Sequence, residues 1–134
     1  MAEKFKLTIV TPDRQFFDDE VDMVEFNTTE GEIGIYKGHV PLTVIVKPGV
    51  LTITQGELKK NAALHAGFVQ ILPEEVTILA EIIEWPGEIN EERANAAKER
   101  AENRLRSGAG EIDVARAEAA LMRSIARINA YRLK

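Results

Sequence analysis

The sequence predicts an all-β unit, a sandwich or barrel of short antiparallel strands, followed by an α-helical hairpin. Three observations carry that reading. Apolar residues alternate with polar ones through the first two-thirds of the chain and take up helical spacing in the last third. Residues 111–134 contain neither Gly nor Pro, whereas eight of the nine glycines lie at or before Gly108. The charge also changes sign: residues 1–87 hold seven basic and fourteen acidic side chains, and residues 88–134 hold ten basic and eight acidic. Periodicity, propensity and charge shift together around Trp85-Pro86-Gly87, so two units are expected, 1–87 and 88–134.

In the first unit Phe5, Leu7 and Ile9 alternate with Lys6 and Thr8, and a second alternating stretch runs from Val21 to Phe26. Further strands are expected over 42–46, 50–54, 58–64, 67–72 and 76–83, all rich in Val, Ile, Thr or Leu. Turn signals separate them at Thr11-Pro12-Asp13, Lys47-Pro48-Gly49, Gln55-Gly56 and Pro73-Glu74-Glu75. No helical pattern of 10–15 residues interrupts the run, which argues against parallel strand–helix–strand units.

In the second unit Ala94, Ala97, Ala101 and Leu105 share one helical face, and Val114, Ala117, Leu121, Ile125 and Ile128 share another. Asn90 and Asp113 are the expected N-caps, with Ser107-Gly108-Ala109-Gly110 as stop and turn. The helices echo each other at an offset of 23, Glu88-Ile89-Asn90 with Arg93-Ala94 matching Glu111-Ile112-Asp113 with Arg116-Ala117. Two copies are too few for a solenoid. An alanine face keeps a helix formed but buries little area. Such a hairpin is stable as helices and weakly held to anything else, which suggests a movable element.

Composition excludes several functions. The 134 residues carry 17 Lys and Arg against 22 Asp and Glu, a net charge of −5 that disfavours sequence-independent nucleic-acid binding. With no cysteine there are no disulfides, thiolate metal sites or cysteine nucleophiles. The start MAEKFKLTIV lacks a signal-peptide core, and no apolar run nears the roughly 20 residues of a membrane span. An intracellular chain without membrane insertion is expected, with peripheral membrane association left open. His39 and His65 lie far apart without metal-ligand spacing, so structural or interface roles are favoured and no metal is expected. No nucleophile elbow or phosphate loop occurs. The acidic run Asp18-Asp19-Glu20-Val21-Asp22 reads as a solvated turn and strand edge. A binding or coupling module is favoured over an enzyme.

Two segments stand out. In Gly31-Glu32-Ile33-Gly34-Ile35-Tyr36-Lys37-Gly38-His39-Val40-Pro41-Leu42, glycines at tight turns leave Glu32, Tyr36 and His39 available to a partner. On the helices, Arg93, Arg100, Arg123 and Arg127 form a basic set, and the last two, four apart, can converge on one anion. A solvated basic face offset by Glu99, Glu102 and Glu118 is the plainer alternative.

With GEIGIYKGHVPL, the following KPG, the GFV and VTILA stretches, and the alanine- and arginine-rich helical end, the chain resembles the epsilon subunits of bacterial F-type ATP synthases over its full length. The resemblance implies an antiparallel β-sandwich of about ten strands and a C-terminal antiparallel two-helix hairpin. It implies a non-catalytic central-stalk subunit, peripheral at the cytoplasmic face of the bacterial plasma membrane. The partners implied are the gamma subunit, the membrane c-ring and, in an inhibited state, an acidic segment of a catalytic beta subunit. Glu30, Glu32, Tyr36 and His39 would face the ring or gamma, and Arg116, Arg123 and Arg127 the beta subunit.

Some members of that family bind ATP between folded-down helices as a regulatory ligand, with no other cofactor. Their motif is Ile-Asp-x-x-Arg-Ala, with a glutamate upstream and arginines on the second helix. This chain matches at Glu84, Ile89, Arg93, Ala94, Arg100, Arg123 and Arg127, and departs at Asn90, where the motif has Asp. Asn still caps a helix but lacks a charged oxygen pair, which weakens any tie to an arginine or nucleotide by about 1 kcal/mol or more. A free-standing nucleotide-binding sensor is the alternative of a different class.

Overall fold

The computed structural model describes residues 3–108 and 110–133. Among these, eight strands precede two helices: β1 (Phe5–Val10), β2 (Gln15–Val21), β3 (Met23–Thr28), β4 (Gly31–Ile35), β5 (Leu42–Ile45), β6 (Gly49–Gln55), β7 (Leu58–Ile71), β8 (Glu75–Glu84), α1 (Glu91–Ser107) and α2 (Glu111–Arg132). A short 3-10 turn, Pro86–Glu88, links β8 to α1. The strands hydrogen-bond in the order β2-β1-β8-β7-β6-β3-β4, with β5 paired to β7.

Two expectations need correction. The strand count is eight rather than ten, in part because 58–64 and 67–72 form one strand of 14 residues, β7. That stretch contains no proline, so β7 bends at a β-bulge instead of ending, and it pairs with β8 from Ala63 to Ile71 despite register slips between Leu64 and Gly67. The sheet is also mixed. β1 runs parallel to β8, from Lys6 beside Glu75 to Val10 beside Leu79, while the other strand pairs are antiparallel.

The bend lets β7 serve both layers of the sandwich. Its first half pairs with β6, its second half with β5. Between the layers lies one apolar core that includes Phe5, Leu7, Phe26, Leu51, Leu64 and Ile78. Period-two alternation in β1 buries Phe5, Leu7 and Ile9 and leaves Lys6 exposed. The acidic β2 is an edge strand, as its charge suggests. Gly67 makes the bend sterically feasible: its φ is +145°, and an added Cβ would run into the Leu79 carbonyl oxygen and lie 2.9 Å from the Ala80 Cα.

Asn90 caps α1 as expected, its Oδ1 accepting from the Arg93 N–H at 3.0 Å, and Gly108 closes the helix in the left-handed region at φ 68°. The cap expected at Asp113 is displaced. α2 starts at Glu111 from Gly110, whose φ of 41° turns the chain into the helix earlier, so Asp113 falls inside the first turn. Of the expected apolar stripes, Ala94, Ala101, Ala117 and Ile128 are buried, but Ile125 is 38% exposed. α2 packs against α1 and also against β6 and β7, so burial moves to Ser124, Ala126 and Ala130. The Ser124 hydroxyl is satisfied by donating to the Ala120 carbonyl at 2.9 Å.

Of the helical pair, α2 covers the outer face of β6 and the first half of β7. Its apolar contact is a small cluster of Ala63, Ile89 and Ala130, with Val50 and Tyr131 alongside. Two of its three buried members are alanines, which remove little area from water, so this cluster contributes modest apolar burial to docking. For the sandwich, Gly67→Ala is expected to lower stability by about 2–4 kcal/mol through the clash at β8 and the positive φ. A urea unfolding midpoint that falls at unchanged slope is the expected result.

Candidate binding cleft between the sandwich and the helices

The site is organised by the carboxylate of Glu84, the last residue of β8. Its Oε1 accepts from Arg127 Nε on α2 at 2.7 Å and from His65 Nε2 on β7 at 2.9 Å. His65 sits in the bulge, between Leu64 paired with Ile83 and Ala66 paired with Ile82. Residues 62–65 are all buried, so the normal alternation is lost here and β7 is covered on both faces. Burial pushes the Glu84 carboxyl up, but hydrogen bonds from His65 and Arg127 and the Arg127 charge outweigh it and hold the group below its ordinary value.

A second carboxylate ties down the linker. Glu88 Oε1 accepts from Arg14 Nη2 at 2.7 Å and from the Trp85 backbone N–H at 2.9 Å. The Arg14 hydrogen bond is the main reason that the Glu88 carboxyl is also depressed. Trp85 stacks on Phe16 with ring centroids 4.2 Å apart. The passage from sandwich to helix is thus fastened by a salt bridge, a backbone cap and an aromatic pair.

Beside these groups opens a cleft of about 320 Å³, lined by Glu84, Glu88, Ile89, Asn90, Arg93, Ala94, Ala97, Arg100 and Arg127. Six of the residues matched to the nucleotide motif therefore line one cleft, Glu84, Ile89, Arg93, Ala94, Arg100 and Arg127, together with Asn90, where the chain departs from it. Arg123 is half-buried and does not line the cleft, so the expected convergence of Arg123 and Arg127 on one anion is not seen. Three guanidinium groups around a small-molecule-sized volume can take an anionic ligand through charge-assisted hydrogen bonds. Sequence reasoning missed Glu88 and Arg14, and read His65 only as structural or interface. The contacts cross long separations, 19 residues for His65–Glu84 and 74 for Arg14–Glu88, which leave no local pattern.

The other candidate residues lie elsewhere. Glu30, in the β3–β4 turn, and Glu32, on β4, are exposed at one end of that hairpin. Tyr36 is exposed and His39 half-buried past the other end of β4, about 14 Å along the strand. The four therefore do not form one patch. Glu32 borders a cleft with Pro48 and Met122 of α2, whereas the Tyr36–His39 loop is held near the β7–β8 turn by the Gly38 N–H donating to the Pro73 carbonyl at 2.8 Å. Arg116 is exposed on α2. An apolar row that the sequence reading did not single out crosses the outer sheet: Ile45 pairs with Phe68, Phe68 with Leu79, and Leu79 with Val10. Ile45, Phe68 and Leu79 are all exposed.

Known proteins share this arrangement. The family described as the ATP synthase Delta/Epsilon chain, beta-sandwich domain, matches residues 4–86, and its long alpha-helix domain matches residues 88–132. The chain belongs to the epsilon subunits of the F-type ATP synthase. The ATP synthase epsilon chain of Halalkalibacterium halodurans is 43% identical over 124 residues, which span 92% of this chain and 93% of that relative. The epsilon chain of Desulforamulus reducens is 42% identical over 130 residues, covering 97% and 98%. A chain in the cryo-EM structure of the Euglena gracilis mitochondrial ATP synthase, OSCP/F1/c-ring, superposes with a TM-score of 0.84 at 25% identity, over 98% of this chain and 82% of that one. This epsilon-family chain matches a central-stalk component, and none of its described helices is long and apolar enough to cross a membrane.

Docking of the helices should depend on pH. Glu84 and Glu88 are depressed in the folded chain, so their stabilisation is complete above the ordinary carboxylate value of 4.5 and is lost as pH falls through the lower folded-state values. Trp85 emission, followed from pH 7 downward, is expected to change below about 4.5 before the sandwich unfolds. Glu84→Gln should remove part of that transition.

Proposed function

We propose that this epsilon subunit is a non-catalytic rotor component whose sandwich transmits rotation and whose helical pair is a regulatory arm. In this reading ATP is a regulatory ligand of the cleft. The observation that carries it is the composition of the cleft wall: Glu84 comes from the sandwich, Arg93 and Arg100 from α1, and Arg127 from α2. Arg93 and Arg100 on α1 and Arg127 on α2 surround the cleft together only while the two helices stay paired against the sandwich, so an anion bound among them selects that state by its differential affinity.

Separate surfaces suit three partners. The apolar row through Ile45, Phe68 and Leu79 suits the gamma subunit, since a contiguous exposed apolar strip on a sheet marks an interface. The Tyr36–His39 loop and Glu32, at different ends of β4, suit gamma and the polar loops of the c-ring. Arg116, Arg123 and Arg127 suit an acidic segment of the beta subunit. Arg127 is engaged by Glu84 in the docked form, so the full basic set becomes available once the arm lifts away. The subunit would sit peripherally at the cytoplasmic face of a bacterial plasma membrane.

Removing residues 88–134 is expected to raise ATP hydrolysis by the assembled complex severalfold while leaving assembly intact. Unchanged latency in that truncation would refute the arm reading. Calorimetric titration of the chain with ATP tests the cleft. Asn90→Asp, which restores the charged oxygen pair of the motif, is expected to tighten binding by about tenfold. No heat from either form would remove the nucleotide from this proposal.

A further inference from the structure

We propose that His65 is a positioning residue, which holds the Glu84 carboxylate on Arg127 and so latches the arm to the sandwich before any ligand enters the cleft. His65 follows Ala63 by two residues on β7, on the face that the helices cover, and is 1% exposed. Nε2 lies 2.9 Å from Glu84 Oε1, the same oxygen that receives Arg127 Nε at 2.7 Å. Among the described residues Nδ1 is buried without a hydrogen-bond partner, so the ring's polar link is to Glu84. That pattern fits the tautomer with the proton on Nε2, donating to Glu84 and leaving Nδ1 bare.

A carboxylate at a strand end, held by Arg127 alone, could rotate outward into the open cleft. A donor fixed in the strand beside it removes that freedom and keeps the acceptor where α2 delivers its guanidinium. The effect matters because the buried apolar cluster under the arm, among the described residues, is modest: Ala63, Ile89 and Ala130, with Val50 and Tyr131 alongside. The charged node adds directional contacts to that cluster, and His65 sets their geometry.

The inference rests on the helical pair being a movable arm, and it does not involve nucleotide. The chain has no cysteine, so spin labels at Glu57→Cys and Glu118→Cys, both exposed, report the arm position in the full chain without ligand. His65→Leu is expected to raise the undocked population about tenfold. His65→Gln, whose amide can still donate to Glu84, should stay within about threefold of the parent. With Glu84→Gln already present, His65→Leu should add less than about twofold, because the two residues act through one bond. Equal effects of Leu and Gln, or a Leu effect undiminished by Glu84→Gln, would overturn the assignment. Should Leu disturb the bulge, seen as faster amide exchange in β1 and β6, His65→Asn, too short to reach Glu84, replaces it in the same cycle. Arg127→Glu separates the two readings. If it fails to open the arm, the arm reading itself falls; if it opens the arm and His65→Leu does not, only the role of His65 falls.

Discussion

Because Gly67 can hold a φ of +145° with its backbone against Leu79 and Ala80, a single strand bends through the bulge at His65 and enters both layers of the sandwich. Much else follows from that close approach. The first half of β7 presents Ala63 and His65 to the helices while Ala62 and Leu64 stay in the sandwich core. The second half turns Phe68 outward beside Ile45 and Leu79 and creates the apolar row. A side chain at position 67 would push β7 off β8, and the bulge, the latch and the outer row would shift together.

The interface between sandwich and helices combines little apolar burial with a few well-placed charges. Such an interface is easily reversed. Small residues in contact lose little on separation, while Arg127, Glu84 and Glu88 are partly exposed and can be rehydrated as the helices leave. The alanine-rich helices keep their own backbone hydrogen bonds whether or not they are docked. Under the proposed arm reading a switch needs two states close in free energy, a need that modest apolar burial and rehydratable charges would suit.

The helical register and the cap at Asn90 were legible because both depend on neighbours within four residues. So was the placement of most of the motif side chains in one cleft, since Ile89 and Asn90 immediately precede α1, and Arg93, Ala94 and Arg100 lie on its first turns. The N-cap of α2 was misread because Asp113 is the better cap by residue type, whereas Gly110 wins by reaching a backbone conformation closed to other residues. Ile125 was expected in the core because periodicity alone assumes one buried face, and α2 meets α1 on one side and strands on another.

By itself the sequence determined the order of strands before helices, the acidic edge of β2 and the alanine faces, because period, propensity and charge are local properties written along the chain. Only the tertiary structure decided that β7 is continuous, that β1 lies parallel to β8, and that His65, Glu84 and Arg127 meet at one oxygen. The physical reason is distance along the chain. Positions 65, 84 and 127 are brought together by a bulge, a strand end and a helix docked across them, and no local spacing encodes such a meeting.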